Sequence, residues 1–82
     1  MYPSVKNVKP LKKNILLLNF DNGEVKIFDM KPYLDQGLFK ELNDESIFNS
    51  VHVSFDTVEW SNGVDICPEI LYEQSVKFEN CA

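Results

Sequence analysis

A pattern that occurs twice sets the strongest limit on what this chain can fold into: an aromatic residue, any residue, Asn-Gly, then Asp-x-x-Pro running into apolar positions. The first copy is Phe20-Asp21-Asn22-Gly23 with Asp29-Met30-Lys31-Pro32-Tyr33-Leu34. The second is Trp60-Ser61-Asn62-Gly63 with Asp65-Ile66-Cys67-Pro68-Glu69-Ile70-Leu71-Tyr72. Asn-Gly accepts the positive φ of a hairpin turn, and proline suits the first helical turn, where an N–H would have no partner. Each copy therefore predicts a hairpin whose returning strand leads into a helix. Together they imply an α+β fold: antiparallel β-hairpins, five to six short strands in all, packed with two to three short helices in a single domain over 1–82. The segments between the copies differ in length, so convergence on the same turn and cap chemistry is preferred to duplication.

Along the chain, Val5 to Lys9 reads as a first strand and Pro10 to Asn14 as a connection into the apolar run Ile15 to Phe20. A two-residue loop at Asn22-Gly23 would pair Phe20 with Val25 and Leu18 with Ile27 on one face, setting Asp21 opposite Glu24. Leu34, Leu38, Phe39 and Leu42 recur at helical spacing, with Gly37 as an interruption, and Asp44 to Phe48 reads as a further turn. Val51, Val53 and Phe55 alternate with His52 and Ser54, which places the former inward, and Asp56-Thr57 would reverse the chain. A three-residue loop at Ser61-Asn62-Gly63 pairs Trp60 with Val64 and Val58 with Ile66, leaving Trp60 half-buried. The two Asn-Gly turns thus predict different loop lengths. Pro68 starts a last helix that continues to Phe78.

Charge narrows the function. The chain carries 13 acidic residues, eight lysines, no arginine and a net charge of −5. Lys6, Lys9, Lys12 and Lys13 precede every carboxylate, so the rest of the domain is strongly acidic. Such a field repels phosphate backbones and favours basic partners, and no arginine supplies a bidentate fork for guanine or phosphate. Direct nucleic-acid binding is disfavoured, and the lysines read as a charged edge strand that discourages edge pairing. No apolar run is long enough to span a membrane, and the start, Met1-Tyr2-Pro3-Ser4, does not resemble a secretory signal, so a cytoplasmic location is expected.

Residues able to carry chemistry are few. Cys67 lies where the chain enters a helix, and its one possible base is His52, which alternation places on an outward face; a structural Cys67 and a surface His52 are the plainer reading. Cys81 and Cys67 form no disulfide or metal framework, and the carboxylates lack a calcium-loop spacing, so no metal and no cofactor is expected. Asp29 and Asp65 each stand three residues before a helix-starting proline, where a carboxylate can accept the free N–H groups of the helix end. Asn22, Gly23, Asp29, Pro32, Trp60, Asn62, Gly63, Asp65, Pro68 and Tyr72 are the candidate structural or interaction positions. None of them is read as catalytic.

The same residues carry a family resemblance. Phe20-x-Asn-Gly-Glu24, Phe28-Asp29-x-x-Pro32, Phe39-x-x-Leu42, Phe48-x-x-Val51-x-Val53, Trp60-x-Asn-Gly-x-Asp65 and Pro68-Glu69-x-Leu71-Tyr72 together resemble the small, mainly bacterial domain of unknown function 2442 family. Ser61 stands where that family often has proline, and Cys67 is a local substitution. The resemblance implies an α+β fold, a cytoplasmic bacterial setting and no established activity. Relatives often look like one half of a two-protein arrangement, which implies an antitoxin-like or adaptor role, with any DNA contact supplied by a partner. The expectation is therefore a non-enzymatic protein-interaction or regulatory module. Its partner would be another protein, small and basic, and a homodimer through a sheet edge is compatible. The alternatives are a small thiol enzyme using Cys67 with His52, or weak nucleic-acid binding through the lysines.

Overall fold

The first Asn-Gly turn decides the layout of the sheet, and its loop is one residue longer than expected. The computed structural model describes residues 2–78. Phe20 N–H donates to Glu24 C=O at 2.9 Å and Gly23 N–H donates to Phe20 C=O at 3.0 Å, so the loop is Asp21-Asn22-Gly23. Gly23, at φ 91°, occupies the left-handed position that closes a three-residue hairpin loop. The expected pairing of Phe20 with Val25, and of Asp21 with Glu24, is therefore wrong. In β2 (Ile15–Phe20) and β3 (Val25–Asp29), Leu16 faces Phe28, Leu17 faces Ile27 and Leu18 faces Lys26. A slip of one residue exchanges the two faces of a strand. The observed register buries Phe28 and brings Met30 into the core behind it; together they bury more apolar surface than the Val25 and Ile27 that the expected register would have buried, chiefly through the Phe28 ring.

β1 (Val5–Leu11) pairs antiparallel with β2 and runs through Pro10, which the sequence had placed in a connection. It is the edge of the sheet, where a proline costs no central ladder bond. A bulge at Lys6 and the exposed Lys6 and Lys9 blunt this edge, as the lysine cluster implies. A 3₁₀ turn at Lys12–Asn14 links β1 to β2.

Two 3₁₀ segments, Lys31–Tyr33 and Gly37–Asn43, stand where the spacing reads as a short helix or as two turns broken at Gly37; the chain takes the second form. Leu34 and Leu42 are buried, whereas Leu38 is 66% exposed. A three-residue period turns Leu38 out of the stripe that a 3.6-residue period would have filled. Asp44 caps α1 (Glu45–Phe48), its carboxylate accepting Ser46 N–H at 2.9 Å.

β4 (His52–Ser54) and β5 (Thr57–Glu59) form a separate hairpin. Ser54 pairs with Thr57, so Phe55-Asp56 makes the turn, not Asp56-Thr57. Phe55 is 96% exposed at φ 54°, the reverse of its expected inward place, because the turn takes it out of the strand's alternation. Thr57 is buried and its hydroxyl donates to Ile66 C=O at 2.7 Å.

The second Asn-Gly turn forms as expected. Trp60 N–H donates to Val64 C=O and Gly63 N–H to Trp60 C=O, both at 2.9 Å. Val58, Trp60, Val64 and Ile66 are all buried; Trp60 is fully rather than half-buried, its indole N–H satisfied by Phe48 C=O at 3.1 Å. Both turns have three-residue loops, so the expected difference in length disappears.

α2 (Pro68–Gln74) ends sooner than predicted. Val76–Lys77 is a strand, β6, that pairs antiparallel with β3 and completes a sheet of order β1-β2-β3-β6. A helix continued to Phe78 would have left β3 as an open edge. One core cluster, from Val5 through Leu16, Phe28, Trp60 and Leu71, lies on a single side of this sheet. The molecule is a slab of 31 × 30 × 18 Å, and no helix among the described residues is long and apolar enough to cross a membrane.

Candidate functional site

The two copies of the repeated pattern meet in space, and their meeting point forms a hollow. Phe28 and Tyr33 from the first copy, and Asp65, Ile66, Cys67 and Ile70 from the second, line with Phe39 an aromatic pocket of about 210 Å³. A shallower hollow of about 460 Å³, lined by residues 36–39 and 63–65, shares Phe39 and Asp65 with it. The result is one groove between the Gly37–Asn43 segment and the strand-like stretch that leads into α2. Its apolar ends are exposed: Leu38, and Ile70 on the first turn of α2.

Turn chemistry positions these walls. The Asn22 and Asn62 side chains each accept the amide N–H two residues on, from Glu24 at 3.0 Å and Val64 at 3.1 Å. Asn62 also donates to Glu41 Oε1 at 2.9 Å, tying the second turn to the Gly37–Asn43 segment across the groove. Phe28 stacks on Tyr33 at 5.5 Å, and Tyr33 meets Phe39 edge-on at 6.3 Å. These contacts fix the aromatic floor.

Asp65 is the charged residue that lines both hollows. Asp35, Lys40 and Glu69, sequence neighbours of lining residues, are exposed. Asp65 does not cap α2: the cap residue is Cys67, and no side chain closes that helix end. Asp29 does act as expected at its own turn, accepting Lys31 N–H at 2.9 Å and pairing with Lys31 Nζ at 3.1 Å. Partial burial works to raise the Asp29 pKa, but the Lys31 amide and ammonium outweigh it and hold the carboxyl below its usual value. Pro32 and Pro68 both stand at the start of their helical segments.

A second polar cluster lies at the far end of the sheet. There Tyr72 packs edge-on against Phe20 at 5.1 Å and donates its hydroxyl to Glu24, while Lys26 Nζ sits 3.9 Å from the Tyr72 ring and bonds Tyr72 C=O at 2.8 Å. The Tyr72 bond, with help from Asn22, holds the Glu24 carboxylate below its usual range, and the same Glu24 bond pushes the Tyr72 phenol up against a smaller opposing effect of Asn22. Tyr2, hydrogen-bonded to Glu73 at 2.9 Å, is likewise raised. This is a structural cap over the inward-facing Glu24 and Lys26.

The Cys67–His52 pair, the less favoured reading of the sequence, is not formed. The His52 ring nitrogens engage Ser50 C=O and Glu59 Oε1, each at 3.2 Å, while the exposed Cys67 thiol opens onto the aromatic pocket. No cluster of three or more metal-ligating side chains occurs among the described residues, and Cys81 lies outside them. Sequence reasoning missed Leu38, Ile70 and Phe55 as exposed apolar groups. Only the first had a signal: it follows Gly37, whose φ of 50° breaks the helical period.

Comparison with known proteins returns one match. Residues 5–77 fit the model of the family described as protein of unknown function (DUF2442). No curated protein and no solved structure matches the chain.

Proposed function

The chain belongs to the DUF2442 family of proteins of unknown function, and on that premise we propose that it is a non-enzymatic protein-interaction module. Its groove receives a basic segment with apolar anchors from a partner protein. The observation that carries this reading is the exposed groove itself: Leu38 and Ile70 at its ends, aromatic rings on its floor and the Asp65 carboxylate shared by its two hollows. An apolar floor supplies affinity, while a carboxylate beside it selects cationic partners and speeds their approach. The net charge of −5 extends the same field over the whole molecule. An antitoxin-like or adaptor role is a narrower form of this proposal, in which occupying the groove masks or recruits the partner.

The test is recovery of the tagged protein from its host beside a Leu38→Asp, Ile70→Asp double variant. A basic protein retained by the wild type, weakened tenfold or more by the double variant and weakened by added salt, supports the groove. Retention of the same partner by both proteins at equal strength sinks it. A partner whose affinity does not change with salt removes the electrostatic half of the proposal.

A further inference from the structure

We infer that the outer face of the four-stranded sheet is the interface of a reversible two-fold homodimer, a second surface that does not depend on the groove. The pairing register sorts the strand residues without ambiguity. Val8 and Pro10 pair with Leu18 and Leu16 on the core side, so Lys9 and Leu11 point outward beside Leu17 and Ile15, followed by Ile27 and Val76 on the next strands. An antiparallel sheet with one face in water normally places polar side chains there. Here Ile15, Leu17, Val25 and Ile27 dominate that face, with Leu11 and Val76 at its flanks and Asn7 and Asn19 toward one end. Val76 is 59% exposed, and none of the six apolar residues belongs to the core or packs against it. No helix among the described residues lies over them, in keeping with a molecule only 18 Å thick.

The face fits a second copy of this chain better than another kind of partner. Asp29 is the one carboxylate within the strands of this sheet, so the acidic groups that make the protein repel itself sit elsewhere. Lys9 lies on the β1 margin and Asp29 toward the other side of the face. A two-fold axis along the strands exchanges those sides, bringing Lys9 of each copy toward the Asp29–Lys31 pair of the other around a centre that carries no charge. Pairing by edges is discouraged by the Lys6 bulge and by the brevity of β6, which leaves the face as the surface for association. Three strands of about five residues, spaced about 4.8 Å apart, and the two-residue β6 give a footprint of roughly 280 Å² per copy. With side-chain relief, two copies would bury about 800 Å², in the range of weak, reversible interfaces, so association is expected toward the upper end of the concentrations below.

Sedimentation and amide NMR of the untagged protein, from about 5 μM to about 1 mM, test this directly. The expected result is a concentration-dependent rise to twice the monomer mass. Amide shifts should move at residues 15, 17, 25 and 27 and stay fixed around the groove. Leu17→Lys, which leaves the core side untouched, is expected to raise Kd at least tenfold with an unchanged melting curve. A single-chain mass at the highest concentration overturns the inference. So does a dimer whose shifts fall on the groove or on the β1 edge, and this wild-type map decides the question even if the variant folds poorly.

Discussion

The two Asn-Gly hairpins share one turn and differ in what that turn delivers to the core. Both loops are three residues long, both close through an aromatic N–H, and both glycines sit at nearly the same φ, 91° and 85°. After the second turn, the inward positions are Val64 and Ile66, both buried. After the first, the corresponding positions are Glu24 and Lys26, and these need Tyr72 laid over them. A turn therefore sets register whether or not the residues that follow suit the core. Where they do not, another element supplies the cover: here α2 brings a side chain that is aromatic on one face and a donor at its tip.

Removing the aromatic that opens each hairpin is the severest way to break this comparison. Trp60→Ala is expected to cost about 4–5 kcal/mol and Phe20→Ala about 3 kcal/mol by denaturant unfolding. The gap arises because the larger Trp60 ring also leaves the buried Phe48 carbonyl without its indole donor. Equal losses would mean that the second hairpin is no better anchored than the first.

Gly23→Ala and Gly63→Ala compare the turns themselves. No atom lies within 4 Å of a Cβ placed at either glycine, so the cost is that of the backbone alone, about 1–2 kcal/mol for each. Agreement within about 0.5 kcal/mol confirms that the turns are equivalent, whereas a large difference would show that one is held by its surroundings.

Tyr72→Phe acts on the first hairpin alone and is best read through pH. Glu24 has a folded pKa below its unfolded one, so its contribution is present above the unfolded value and lost as pH falls through the folded value. Tyr72 is raised, so its share is present below its unfolded pKa and lost as pH rises through its folded one. The variant should therefore lose less stability than the wild type when acidified below about pH 4, and thermal melts across that range measure it. Parallel curves for the two proteins would count against the Tyr72–Glu24 bond.

The smallest effect has the opposite sign. Phe55 occupies a turn at φ 54°, which glycine adopts without strain, so Phe55→Gly is expected to raise stability by about 0.5 kcal/mol. A loss instead would show that Phe55 makes contacts in solution.

Much of this was legible in the sequence. The antiparallel hairpins, the inward positions Leu18, Phe20, Val58, Val64 and Ile66, and the helix start at Pro68 follow from alternation and turn chemistry. The first register was misread because Val25 and Ile27 look like a core stripe, and local hydrophobicity favours burying them. The second copy, where Trp60 and Val64 flank a three-residue loop, held the correction, but only if the two turns were treated as the same object. β6 escaped notice because two residues cannot display a period. The groove was not legible at all, since it depends on the distant copies coming together.

That last strand also bears on when the protein can become native during synthesis. Ile27 finds its outer neighbour only in Val76, so while the ribosome is still making α2 the hairpin already formed presents a bare row of amides and carbonyls. A nascent chain in that condition is open to pairing with its neighbours on a crowded polysome until residue 77 emerges.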